Sequence, residues 1–333
     1  MPRDVDVMPA VTGSDLRTRV RQTMAATGGK LSQAEVARQA GIPASTLSQY
    51  LNDRYPGDVA AVEVALNRWL DTQTVTAEVT ELLPVLPSFV DTPTSRRIVA
   101  GLAYAQSARN ITMVYGAAGV GKTRTIRHYR KKHSNVWVVT ASPMRSKTNP
   151  LLDAIATALG IVDGRRDPAS LSKAIIAKLA GTGGLLIVDE AQHLSDGALE
   201  AVRSIHDAVN DDLDDDDAGV GMALVGNTVL YTRVRGQKRT YDFAQVTRRI
   251  GKYVRLDGPT DADIQAIAAA FKLDGRDELD IAREIARRPG ALGLLEQTLK
   301  QAWLMAAGEV PPGRPTVEHI RAAFADLQRD GEL

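Results

Sequence analysis

The residues best suited to chemistry are Gly116-Ala117-Ala118-Gly119-Val120-Gly121-Lys122-Thr123, a Gly-x-x-x-x-Gly-Lys-Thr run between the β-branched segment Ile111 to Tyr115 and the helical stretch Arg124 to Arg130. In that setting glycines let backbone N–H groups turn inward around phosphate oxygens, and a helix N-terminus adds partial positive charge. The spacing assigns Lys122 to the terminal phosphates of a nucleotide and the Thr123 hydroxyl to Mg²⁺, with residues 116 to 124 forming the nucleotide contact.

A second apolar run, Leu185-Leu186-Ile187-Val188, ends in Asp189-Glu190 and reads as a neighbouring buried strand. Asp189 would join Thr123 in the Mg²⁺ shell, and Glu190 would act as the general base that polarises the attacking water. The alternative for Glu190 is an acid favoured at a helix start by the macrodipole. A further strand ends in Val225-Gly226-Asn227, which puts an amide where ligands of parallel sheets bind. Asn227 either positions the water or begins a turn. His193 is a γ-phosphate sensor or a structural residue near the site.

The elements that must hold these residues alternate. Ile111 to Tyr115, Val136 to Thr140, Leu185 to Val188, Met222 to Val225 and Tyr253 to Leu256 are strand-like and separated by helical stretches, which argues an α/β unit with a parallel sheet. Beyond Pro259 only helical periodicity remains. Upstream, the first 15 residues are mixed and unpatterned and read as a loose arm, and residues 15 to 73 show helical spacing punctuated by Gly28-Gly29, Gly41 and Tyr55-Pro56-Gly57-Asp58. Residues 76–95 carry Pro84, Pro87 and Pro93 and no basic residue, and read as a linker. The expected organisation is 1–75, linker 76–95, core 96–258 and helical subdomain 259–333.

Composition limits the classes. The 333-residue chain has no cysteine, so disulfide frameworks and thiolate metal sites are excluded, and its five histidines lack ligand spacing. No stretch approaches the roughly 18 apolar residues that span a bilayer, and no leader pattern opens the chain. A cytoplasmic protein is expected. The net charge of +1 hides an uneven distribution: residues 96–258 hold 24 basic and 16 acidic residues, six of the acids within Asp211-Asp212-Leu213-Asp214-Asp215-Asp216-Asp217.

These motifs resemble those of the AAA+ ATPases, and within that class the MuB family of phage Mu target-selection proteins and its transposon relatives. The resemblance rests on the two nucleotide motifs and on Leu51-Asn52-Asp53-Arg54-Tyr55-Pro56-Gly57-Asp58, Asn135-Val136-Trp137, Val188-Asp189-Glu190-Ala191-Gln192-His193-Leu194 and Pro289-Gly290-Ala291-Leu292. It implies a three-layer α/β/α P-loop core with an N-terminal helix-turn-helix domain and a C-terminal helical lid. It implies an ATPase with ATP and Mg²⁺ as cofactors that forms a homo-oligomeric helical filament on double-stranded target DNA with little sequence preference. It also implies delivery of that DNA to a transposase that triggers hydrolysis, in a bacterial host cytoplasm. By the same resemblance, Arg249, with Arg248 second, would be the finger given to a neighbouring subunit's site; a solvated basic turn is the alternative. The lid arginine of the family is replaced here by Gly293, with Arg288 a candidate substitute. A replication helicase loader and a helix-turn-helix regulator with ATP-gated oligomerisation would share this core.

Between Tyr231 and Arg255 stand Arg233, Arg235, Lys238, Arg239, Arg248, Arg249, Lys252 and Arg255 against Asp242 alone. Such cations give salt-sensitive, sequence-independent DNA affinity. The resemblance selects Lys238 and Arg239 as backbone contacts, with Arg145 and Lys147 lining the same channel; a solvated loop is the alternative for each pair. In the N-terminal segment, Gln33 to Ala37 begins a helix capped by Ser32, Gly41 turns, and Ala44 to Leu51 forms a second helix. Ser45, Thr46, Ser48 and Gln49 would face a DNA groove, while Val36, Ala37, Ile42, Leu47 and Leu51 form the core. The domain carries no basic surplus, so a protein contact competes with DNA.

Overall fold

The computed structural model describes residues 13–26, 31–82, 88–161, 167–211, 219–235, 243–309 and 313–329. Lys238, Arg239 and the acidic run from 212 to 217 lie outside them. The chain divides into two compact units, Met1–Pro84 and Val85–Leu333.

The first unit comprises α1 (Gly13–Ala26), α2 (Gln33–Ala40), α3 (Ala44–Leu51) and α4 (Val59–Leu82). Ser32 and Glu35 form a reciprocal capping box that starts α2, and Gly41, at φ 72°, ends it. Val36, Ala37, Leu47 and Leu51 are buried and Ile42 packs against them half-exposed, while Ser45 and Gln49 are exposed. Thr46 and Ser48 are half-buried. Tyr50 is also fully buried and donates its hydroxyl to Glu63 at 2.9 Å.

The expected linker differs in extent. Helix α4 continues to Leu82, inside the expected linker. Pro93 is not a breaker: it occupies the first turn of α5 (Pro93–Ala108), where its missing N–H costs nothing, behind a Thr92–Ser95 capping box.

The second unit is built on β1 (Ile111–Gly116), α6 (Lys122–Lys132), β2 (Val136–Thr140), α7 (Thr148–Ala158), α8 (Pro168–Leu179), β3 (Leu185–Asp189), α9 (Asp196–Asn210), β4 (Gly221–Gly226), α10 (Thr228–Arg235), α11 (Ala244–Arg249) and β5 (Ile250–Leu256). The strands form one parallel sheet in the order β2-β3-β4-β1-β5. Alternation along the strands separates two cores. Ile111, Met113, Leu186, Val188, Met222 and Leu224 pack with residues of α7 to α10, whereas Val114, Leu185, Ile187, Ala223 and Val225 pack with those of α5 and α6. The result is the three-layer α/β/α arrangement. Helices α12 (Asp261–Ala270), α13 (Arg276–Ala286), α14 (Ala291–Ala307) and α15 (Val317–Arg329) enclose a third core around Phe271, Ile285, Leu295 and Leu299.

A buried carboxylate joins this helical subdomain to the core. Asp263, in the first turn of α12, accepts the Thr94 N–H and hydroxyl from α5 at 2.8 and 2.7 Å, and the Thr260 N–H and hydroxyl, both at 2.7 Å. Among the described residues no helix is long and apolar enough to cross a membrane.

Candidate functional site

Strand β1 is buried along its whole length and delivers Gly116 to the rim of the sheet. Gly116 has φ 139° and a Cβ there would stand 1.9 Å from the Leu256 carbonyl oxygen, so only glycine lets the loop leave between β1 and β5. Gly119, at φ 74°, meets the lid: a Cβ would lie 2.2 Å from the Gly290 carbonyl oxygen. Gly121 then caps α6, whose first residues are Lys122 and Thr123.

The resulting cavity of about 520 Å³ is lined by Ala118 to Thr125, Glu190, Gln192 and Asn227 from the core and by Leu292, Gly293, Glu296, Gln297 and Lys300 from the lid. Lys122 is 9% exposed and donates Nζ to the carbonyls of Ala117 at 2.6 Å and Gly116 at 3.2 Å. Burial holds its ammonium below the usual lysine range, against the pull of Glu190 and Asp189. Thr123 donates Oγ1 to Asp189 Oδ2 at 2.7 Å, which joins the two nucleotide motifs directly. Asp189 also accepts the Glu190 N–H at 3.0 Å, yet burial pushes its carboxyl above the ordinary aspartate range.

Glu190 follows in the left-handed region at φ 55° and heads a 3-10 turn, Ala191–His193. His193 is exposed and does not line the cavity. The Asn227 side-chain carbonyl accepts the Val229 N–H at 2.9 Å, so this residue starts α10 as a turn-forming Asn does while also lining the cavity. Arg124 pairs with Glu296 of α14 and donates to the Ser88 carbonyl at 3.2 Å. Lys300 pairs with the same Glu296 at 2.9 Å. Arg288 lines a different cavity, on the Ala117-Ala118 side of the loop. Gln192, Glu296, Gln297 and Lys300 are lining residues that sequence reasoning left without a role; the three from the lid sit one helical turn apart or less on α14, a spacing that only the placement of that helix makes meaningful.

The basic stretch is less free than its composition implies. Arg233 donates to the Gln192 carbonyl at 3.0 Å and to Asp196 at 2.6 Å, Arg235 lies over the Tyr253 ring, Lys252 over Tyr104, and Arg255 pairs with Asp257 at 2.5 Å. Arg249 bonds Asp207 at 2.7 Å and lies 3.6 Å from Asp211. Arg248, Arg145 and Lys147 are exposed and pair with no described residue; Arg145 ends the 3-10 turn Pro143–Arg145, and Lys147 follows it across Ser146.

A family model described as "AAA domain" matches residues 105–234, and one described as "Mu B transposition protein, C terminal" matches residues 248–327. The chain is 42% identical over 271 residues to "Mu-like prophage FluMu DNA transposition protein B" of Haemophilus influenzae, covering 81% of this chain and 90% of that protein. It is 34% identical over 299 residues to "ATP-dependent target DNA activator B" of Escherichia phage Mu, covering 90% and 91%. Cdc6p of Pyrobaculum aerophilum shares the fold, with a TM-score of 0.53 at 18% identity over 72% of this chain and 69% of that one. With such identity over most of both curated relatives, joined to a phosphate loop and an Asp-Glu strand end that meet in one cavity, the chain belongs to the Mu B transposition protein family of AAA ATPases.

Proposed function

We propose that this chain is an ATP-dependent, largely non-sequence-specific DNA-binding ATPase that assembles as a homo-oligomer on double-stranded target DNA and delivers that DNA to a transposase, in a bacterial host cytoplasm. The observation that carries the ATPase reading is the Thr123–Asp189 hydrogen bond, which brings both nucleotide motifs to one point beside Lys122 and Glu190. The target-DNA reading is supported by relatives named for DNA transposition and for ATP-dependent target DNA activation.

Lys122 would exchange the Ala117 and Gly116 carbonyls for phosphate oxygens, and the backbone N–H groups of residues 118 to 123 would bind the rest of the triphosphate, the Ala117 N–H being held by the Leu256 carbonyl at 2.8 Å. Glu190 would take the proton of the attacking water, with Asn227 orienting that water through its amide. The Thr123 hydroxyl and Asp189 carboxylate are hard oxygen donors fitted to Mg²⁺, which when bound would neutralise charge on the phosphate oxygens. Arg249 would leave Asp207 and Asp211 to stabilise charge in a neighbouring subunit's site, so that hydrolysis depends on assembly. DNA and the transposase would stimulate turnover through that dependence. Lys238, Arg239, Arg145 and Lys147 would bind the phosphate backbone. Arg233, as placed, serves the Gln192 turn before it serves DNA. Ser45, Thr46 and Gln49 would add an auxiliary DNA contact.

Glu190→Gln tests the reading. Turnover should fall by about 100-fold or more while ATP binding and ATP-dependent filaments on DNA persist in electron micrographs. Unchanged turnover removes Glu190 from the base role.

A further inference from the structure

Gln192 stands two residues beyond Glu190, in the 3-10 turn, and its side-chain amide is engaged at both ends. Nε2 donates to Glu190 Oε2 at 2.5 Å, and Oε1 accepts the backbone N–H of Asn227 at 3.2 Å. The amide lies so close to β4 that a Cβ on Gly226 would stand 2.6 Å from Oε1, and any larger residue there would push it aside. The main chain of Gln192 is held too, because Arg233 of α10 donates Nη1 to its carbonyl and Nη2 to Asp196. The turn backbone is therefore fixed by Arg233 and by the His193 N–H donating to the Glu190 carbonyl at 3.0 Å. The direction of the Glu190 carboxylate is left to its own three side-chain torsions and to Gln192.

We infer that Gln192 is a positioning residue for hydrolysis: it ties the Glu190 carboxylate to the end of β4, so that Glu190 and Asn227 face one point of the cavity in a fixed relation. The inference rests on Glu190 being the base, as proposed above. A general base acts only within hydrogen-bond reach of the proton it takes, and a half-exposed glutamate populates several rotamers. An amide suits the task because it donates to a carboxylate and accepts from a backbone N–H at once, which neither an apolar nor an acidic side chain does. The contacts also close a ring from Gln192 through Asn227 and α10 to Arg233 and back to Gln192, with Glu190 attached to it by the Gln192 amide, so a shift of α10 would move the base.

Two variants of the full chain test this. Gln192→Met keeps length and volume but loses both side-chain bonds, while Gln192→Glu keeps the acceptor for Asn227 and sets a second carboxylate against Glu190. Steady-state ATP hydrolysis, titration with a fluorescent ATP analogue and thermal melts are measured for both beside wild type and Glu190→Gln. The expected result is a kcat lower by about tenfold for Gln192→Met and by more for Gln192→Glu, with nucleotide affinity within about twofold of wild type. Should the Met variant fail to fold, the isosteric Glu variant carries the comparison. A kcat within about twofold of wild type in the folded variants overturns the inference, and so does a loss of nucleotide affinity that accounts for the loss of rate. Glu190→Gln separates the two levels. If it hydrolyses ATP like wild type, the base reading fails; if it is inactive while both Gln192 variants are normal, only the role of Gln192 fails.

Discussion

Asp189 and Asp263 are both buried carboxylates in the Val85–Leu333 unit, 1% and 0% exposed, and burial acts on them with opposite outcomes. Asp189, at the end of β3, accepts one hydroxyl and one N–H, and burial pushes its carboxyl above the ordinary range. Asp263, at the start of α12, feels burial as its largest single influence as well, but four hydrogen bonds from Thr94 and Thr260 together outweigh it and hold the carboxyl below that range. The difference is the one expected between a charge at the proposed ligand site and a charge kept for the fold. A ligand site has to leave coordination capacity open, so its charges are under-compensated until the ligand arrives; a structural joint closes all of it. Lys122 belongs with Asp189, since burial lowers its affinity for the proton while its Nζ has only loop carbonyls to bond.

The comparison breaks first at Asp263. Asp263→Ala strands the Thr94 and Thr260 donors in a buried joint and should destabilise the chain by about 3 kcal/mol, read as a shift of the denaturant midpoint. The pH dependence follows from the direction of the shift. A folded carboxyl below its unfolded value contributes stability that is present above the unfolded pKa of about 3.9 and is lost as pH falls through the folded value. The gap between wild type and Asp263→Ala should therefore narrow below about pH 4. A gap that is constant with pH would assign the loss to packing alone.

Asp189→Asn should move the other way. The amide can keep the Glu190 N–H and Thr123 contacts while removing an under-compensated charge, so the nucleotide-free protein should gain about 1 kcal/mol, partly offset by the lost attraction of Lys122. Thermal melts without nucleotide check the sign, and a clear loss of stability would erase the distinction between the two aspartates.

The same contrast explains what was legible in the sequence. Glycines such as Gly116 are dictated by backbone approach, and the Asp-Glu at the end of β3 follows an apolar strand, so the proposed phosphate site is written in local patterns. Side-chain pairing across the fold leaves no such pattern. The run from Arg233 to Arg255 reads as a free basic surface, but Arg233, Arg249 and Arg255 have carboxylate partners, the first two on α9 and the last at Asp257. Gln192 stands in plain view beside Glu190, and only the proximity of Asn227 across β3 and β4 gives it a task. Pro93 is ambiguous in the sequence for a related reason, since a proline breaks a helix or begins one depending on what caps it.

The smallest effect is expected where charges have neither kind of compensation. Arg145 and Lys147 are exposed and pair with no described residue, beside Met144 at 90% exposure. Their removal disturbs no buried group, so Arg145→Ala with Lys147→Ala should change stability by less than about 0.5 kcal/mol. If they bind DNA phosphates, each lost contact releases fewer counterions, and the slope of log affinity against log salt should become shallower by about one per contact, up to about two for the pair. Filter binding of double-stranded DNA across a salt series, with ATP present, measures both affinity and slope. An unchanged slope would return these two residues to ordinary solvated surface, and would leave the DNA contact to cations other than the exposed pair beside Met144.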